Sequence, residues 1–368
     1  MNKSLSKKDI YFYGILAFFI LLNAYWMLSL RILPFIDLPF HLSSSTIYRF
    51  FDNPEFHFKE YYEIPTVLKS NNFHLLFTSL KIFPDVEIAN KVFYLLYVIL
   101  FPLSILFLIK EINGNKWFAL LSFLFLYNHN THWGFTGFTI SVPVIFFFIA
   151  YLIRYLNKQN YTLLISMFVF LLLIFSMHFQ NAIFMSFLYL VSVLVTFRKN
   201  LFKASVSLSI LLPIFVIMLI VYLGDAKGNY ESLFPFLIRY AKEEFISGIP
   251  VKLQMFLVAD NFYFTKNLVL GSIYAVIFSL AIIIPSALFF LKRKSYNKVK
   301  TIPLPLVVLL ISAFVFYFLL PSDIPGQNVV NQRFTIFIFL GLLTVASLLK
   351  LNLKQEKIFI AVTALIVF

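Results

Sequence analysis

Trp117–Ile153 reads WFALLSFLFLYNHNTHWGFTGFTISVPVIFFFIAYLI, 37 residues without an Asp, Glu, Lys or Arg. At about 1.5 Å per residue one helix of that length reaches well over ~50 Å, against a hydrocarbon core of about 30 Å. A polar knot, Asn128-His129-Asn130-Thr131-His132, sits near its middle. The run therefore reads as two membrane spans joined by a tight turn at a membrane surface. Gln159–Phe197, 39 uncharged residues with His178-Phe179-Gln180-Asn181 at the centre, reads the same way.

Outward from these two, uncharged runs fill Ile10–Leu30, Val92–Ile109, Ala204–Leu223, Asn267–Leu291, Thr301–Ser322 and Phe334–Leu349. The total is ten spans, and Ile358–Phe368 begins an eleventh, which carries the expectation of a missing C-terminal region. Charged residues make up 12% of the chain and hydrophobic ones 61%. A soluble chain carries about a quarter charged residues. The fold class is therefore all-α, a polytopic transmembrane helical protein forming a single transmembrane domain over residues 1–368. Basic residues open the chain over Met1–Lys8, and no small-x-small cleavage site follows the first run. The first run reads as a retained span.

Charge tests the threading. With the N-terminus in the cytoplasm, the inner segments hold 18 of the 30 basic residues and three acids, Asp9, Glu111 and Glu356. The outer segments hold 12 basic residues, 13 of the 16 acids and all six histidines. Every inner loop obeys the positive-inside rule. The net charge of +14 is thus explained by topology; no basic stripe with interleaved aromatics marks a nucleic-acid surface. A chain without cysteine fits a bacterial inner-membrane protein of the cell envelope that needs no disulfides.

The outer face carries loops at about 31–91, 224–266 and 321–333. In the first, Leu33–His41 is followed by a segment that reads as a helix through Phe51. Phe73–Phe83 has the apolar spacing of an amphipathic helix lying on the bilayer. No inner loop exceeds about ten residues, and no phosphate-binding glycine motif occurs, which counts against an ATP-driven pump.

Chemistry is therefore sought on the outer face. Asp37 follows the first span and precedes Pro39, a pattern that is a common helix start and also places a carboxylate at the membrane surface. His41 lies four residues on; the pair could hold a metal, and a divalent ion at Asp37 and His41 is left open. Asn128, His129 and His132 form one hairpin tip, followed by Trp133-Gly134-Phe135-Thr136-Gly137, whose glycines allow close helix approach. His178 with Gln180 and Asn181 forms a second tip. Arg333, preceded by Asn331, opens the tenth span as a snorkelling cation or as a bidentate phosphate clamp.

Asp37-Leu38-Pro39-Phe40-His41 after a first span, then surface helices and paired spans, resembles the GT-C superfamily of integral-membrane glycosyltransferases, such as protein O-mannosyltransferases and the aminoarabinose transferase. Tyr61-Tyr62-Glu63, Tyr127-Asn128, Trp133-Gly134-Phe135, His178-Phe179-Gln180 and Asn331-Gln332-Arg333 extend the likeness to uncharacterised bacterial proteins of GT-C-like layout. It covers Met1 to about Phe197 well and the remainder loosely. Leu38 follows Asp37, where the best-known members carry an acidic pair.

The resemblance implies transfer of a sugar from a polyprenyl-phosphate donor to an extracytoplasmic glycan, lipid or protein acceptor, at the surface of the lipid bilayer. It implies Asp37 as the base, Arg333 with His178 at the donor phosphate, and His41, Glu63, Asn128, His129, His132, Gln180 and Asn331 on the acceptor or sugar side. The alternatives are an ion-coupled transporter or lipid flippase, which needs ionisable residues at mid-span and an internal repeat, and a non-enzymatic envelope assembly factor, which needs no cavity at Asp37.

Overall fold

The computed structural model describes residues 6–64, 69–225, 233–257, 273, 276–277, 279–292, 301–325 and 327–367. Among them every regular element is a helix; the only strand-like feature is one isolated bridge, Ile324 to Gln327. Residues 226–232 and 258–266 of the loop expected at 224–266, and the basic stretch from Arg293 to Lys300, lie outside the described residues.

Helix α1, Lys7–Ser29, starts on a capping box in which Ser6 and Asp9 each accept from the other's backbone N–H. The chain then turns into α2, Leu38–Arg49, and after a surface segment into the six-residue α3, Phe73–Thr78. Helix α4, Val86–Glu111, is capped by Asp85. Lys116–Phe125 follows as a 3₁₀-helix, then the short α5, His129–Trp133, and α6, Thr136–Lys158. Two helices, α7 (Tyr161–Met177) and α8 (Phe179–Thr196), meet at His178. The bent pair α9 (Leu201–Leu208) and α10 (Leu211–Asp225) comes next, then α11 (Leu233–Glu243) and α12 (Phe245–Leu257). The chain closes with α13 (Ile284–Lys292), α14 (Leu304–Leu319), α15 (Thr335–Ala346) and α16 (Leu353–Val367).

Four helices among the described residues, α1, α4, α6 and α8, are long and apolar enough to cross a membrane, or five if the pair bent by 41° is one span. Others stop short for visible reasons. His178 ends α7 after 17 residues. The first arm of Trp117–Ile153 is tightly wound, and ten 3₁₀ residues rise about 20 Å in all. The expected hairpin at His178 is present, whereas Trp117–Ile153 divides into three helices instead of two. Phe73–Phe83 also departs from expectation. Its helix ends at Thr78, and the Phe73 ring lies tilted and the Phe77 ring edge-on against Phe93 of α4, so this segment is packed on the bundle.

The core is aromatic and centres on α4 and α6. Tyr94, Tyr97, Phe101, Phe146 and Phe148 are fully buried there. At the end of the bundle far from Asp37, each of three acids is bound to a base on another element. Asp9 pairs with Lys116, Glu111 with Arg154, and Glu356 with Lys8 at 3.3 Å. These are the three acids that the charge pattern assigns to the inner face. A topology reporter fused at Lys116 or Lys158 is expected to read cytoplasmic, and one at Asn130 external. The same holds for Asn297 (cytoplasmic) and Asn229 (external), which lie outside the described residues. An external signal at Lys158 would invert the assignment.

Candidate functional site

The loop before α2 is hung from the α5–α6 junction. Ile36 N–H donates to the His132 carbonyl at 3.0 Å and Asp37 N–H to the Trp133 carbonyl at 2.9 Å. Gly134 makes this approach possible. Its φ is +80°, and a Cβ there would lie 3.1 Å from the backbone nitrogens of both Asp37 and Leu38. Gly137 does the same for the next junction, since a Cβ would lie 2.1 Å from the Met177 carbonyl oxygen. The N-terminus of α6 can therefore sit directly on the end of α7, beside His178. Gly137→Ala forces these backbones apart. Overpacking of this kind costs about 1–3 kcal/mol, so a lower thermal midpoint is expected for the purified variant, and an unchanged one would contradict the contact.

Between these junctions lies a cavity of about 360 Å³, lined by Asp37 and His41 on one side, Trp133 and Phe135 along the middle, and His178 and Arg333 opposite. Asp37 occupies the N-cap position of α2, yet its side chain accepts no cap hydrogen bond. The helix-start explanation therefore leaves the carboxylate without a structural task. Its charge acts on both His41 and Arg333. Burial pulls His41 below its usual pKa, and Asp37 partly offsets that. His41 is therefore neutral near pH 7.

Arg333 is 5% exposed. It donates through Nη1 to His178 Nε2 at 3.0 Å and to Gln180 Oε1 at 3.4 Å, and through Nη2 to the Asn328 carbonyl at 2.9 Å. Its guanidinium lies 4.2 Å from the centre of the Phe135 ring, a cation–π contact. An arginine only donates, so His178 Nε2 must be bare and the neutral ring's proton sits on Nδ1. That nitrogen lies 3.4 Å from the Asn181 nitrogen, and in this tautomer it carries a proton and does not accept from the Asn181 N–H. Burial and the adjacent guanidinium both hold His178 well below its usual pKa, which agrees with a neutral ring.

Not every expected residue reaches this cavity. Gln180 supports it from behind by holding Arg333 and donating to the Val330 carbonyl at 3.0 Å. Asn331 is buried and donates to the Tyr317 carbonyl at 3.3 Å. Asn128 caps α5 by accepting from Asn130 N–H. Neither of them, nor His129 or His132, is among the lining residues. Glu63 is exposed on the surface segment before residue 65. In their place the fold supplies Asn71, Phe135, Phe138 and Asn328. Asn71 has a left-handed backbone, φ 65°, and accepts from Phe179 N–H at 3.2 Å, joining the first loop to the start of α8. Among the described residues no three His, Cys, Asp or Glu side chains gather as a metal site, so Asp37 and His41 are a pair without a third such ligand.

Set beside family models, curated proteins and solved structures, the chain matches none of them.

Proposed function

We propose that this chain is a GT-C-type glycosyltransferase of the bacterial inner membrane, with ten to eleven spans, a cytoplasmic N-terminus and an outward-facing site. It moves a sugar from a polyprenyl phosphate to an extracytoplasmic acceptor. The observation that carries the reading is the cavity's polarity: a carboxylate released from helix capping faces a buried arginine held by a neutral histidine. Glycosyl transfer needs those two poles. Asp37 takes the proton of the acceptor hydroxyl as its oxygen bonds the anomeric carbon. Arg333 stabilises the negative charge left on the polyprenyl phosphate when the bond to that carbon breaks. His178 and Phe135 hold the guanidinium in place. An ion-coupled transporter usually carries an internal repeat, and no repeat of the first half of this chain is found in the second.

The test is ligand stabilisation of the purified protein. Undecaprenyl phosphate is expected to raise the thermal midpoint, and undecaprenol, the same chain without phosphate, is expected not to. Equal effects of the two lipids, or none from either, would remove the polyprenyl-phosphate donor.

A further inference from the structure

A second cavity, an apolar groove of about 480 Å³, opens beside the Asp37 loop. Leu22 and Met27 of α1, with Leu30 just past its end, form one wall, Phe123 and Tyr127 the other, and Leu33-Pro34-Phe35 the end. Trp26 and Tyr127 flank it, 58% and 46% exposed, as interfacial aromatics do. Phe35 precedes Asp37 by two residues, so the end of the groove is no more than about 7 Å from it along the backbone.

A third, smaller cavity of about 200 Å³ shares Leu33 with this groove and continues along Leu38 and Pro39, the residues directly after Asp37. It carries Arg31, Lys91 and Glu87, one net positive charge. Lys91 Nζ donates to the Leu28 carbonyl at 3.4 Å, which fixes it at the end of α1. An apolar groove, an adjoining basic pair and a nearby carboxylate thus lie in sequence on the Asp37 side. The arginine that holds the donor phosphate lies on the other side of the first cavity.

We infer that the acceptor is an anionic phospholipid with a free headgroup hydroxyl, one chain lying in the α1 groove and its phosphate against Arg31 and Lys91. The inference rests on the glycosyltransferase reading and narrows its acceptor from glycan, protein or lipid to lipid. The headgroup O–H gives its proton to Asp37, and its oxygen bonds the anomeric carbon. The bond from that carbon to the donor phosphate breaks, and the electron pair stays on the polyprenyl phosphate. Arg333 lines neither the groove nor the smaller cavity, so a lipid seated in them is held beside Asp37 and apart from the arginine assigned to the donor phosphate.

Native mass spectrometry of the full chain, offered phosphatidylglycerol and phosphatidylcholine in equal amounts, tests this. Undecaprenyl phosphate is offered in a separate arm. Wild type is expected to retain phosphatidylglycerol preferentially. Arg31→Gln with Lys91→Gln should cut that preference by about fivefold or more, given the usual gain per basic residue at an anionic headgroup. Leu30→Trp fills the groove and should lower retention of both phospholipids. Undecaprenyl phosphate should be retained by these variants and lost in Arg333→Met. No preference for phosphatidylglycerol, or one that survives the double glutamine variant, overturns the inference. Loss of undecaprenyl phosphate in Leu30→Trp would seat the donor chain in the groove; that overturns the acceptor assignment and leaves glycosyl transfer standing. Failure of wild type to retain undecaprenyl phosphate at all overturns the donor reading and the acceptor role together.

Discussion

Asp37→Asn is expected to stop the reaction and leave the protein folded. The carboxylate makes no cap bond that asparagine could lose, and asparagine is itself among the best N-cap residues. The backbone bond from residue 37 to the Trp133 carbonyl does not depend on the side chain. A base that can no longer accept a proton typically costs ~10²–10⁴-fold in rate. Thermal unfolding of the purified variant should therefore match wild type, while cells carrying it lose the envelope modification. Normal envelope composition with Asp37→Asn would remove Asp37 as the base, and with it the main ground for preferring transfer over transport.

The second large effect is expected at Arg333, and it differs in kind. Arg333→Met strands His178, Gln180 and the Asn328 carbonyl, three groups that the guanidinium now satisfies. Leaving a buried polar group without its partner costs about 1–3 kcal/mol. This variant should lose stability as well as activity. Arg333→Lys separates the two effects. It keeps a charge near Phe135 and loses the planar fork, so the protein should fold while the rate falls by roughly 10²-fold, the scale of removing one charge-stabilising donor. The comparison is of turnover with thermal midpoint for the two variants. A fully active Arg333→Lys protein would show that the fork geometry is not used.

The uneven legibility of this molecule has physical causes. Hydrophobic runs mark segments kept from water, whether by lipid or by the rest of the protein, and they located α1, α4, α6 and α8. A polar residue in an apolar run must be bonded or placed at an end, so His178 marked the joint of its hairpin. Hidden from the pattern was the winding of Lys116–Phe125, because an uncharged run looks alike as an α-helix or a 3₁₀-helix. The amphipathic spacing of Phe73–Phe83 likewise could not distinguish a bilayer from the aromatic face of α4. Asp37, His178 and Arg333 stood out because charged or ionisable groups are rare beside such runs. Asn71 and Asn328 did not: both are uncharged, and the place of Asn71 depends on a contact far along the chain. Asn71 meets Phe179 N–H, 108 positions away. His132 was misleading in the opposite sense: it shares a turn with Trp133, but the helical step between them turns it off the cavity.

The cavity also stands where helices stop. Asp37 begins α2, Phe135 lies between α5 and α6, His178 separates α7 from α8, and Arg333 precedes α15. Breaks like these are the joints at which a bundle first loosens. A substrate touching several of them at once would act as a keystone, with a stabilising effect that grows logarithmically with its concentration. The resistance of this protein to heat and proteolysis would then report how much donor lipid the surrounding membrane holds.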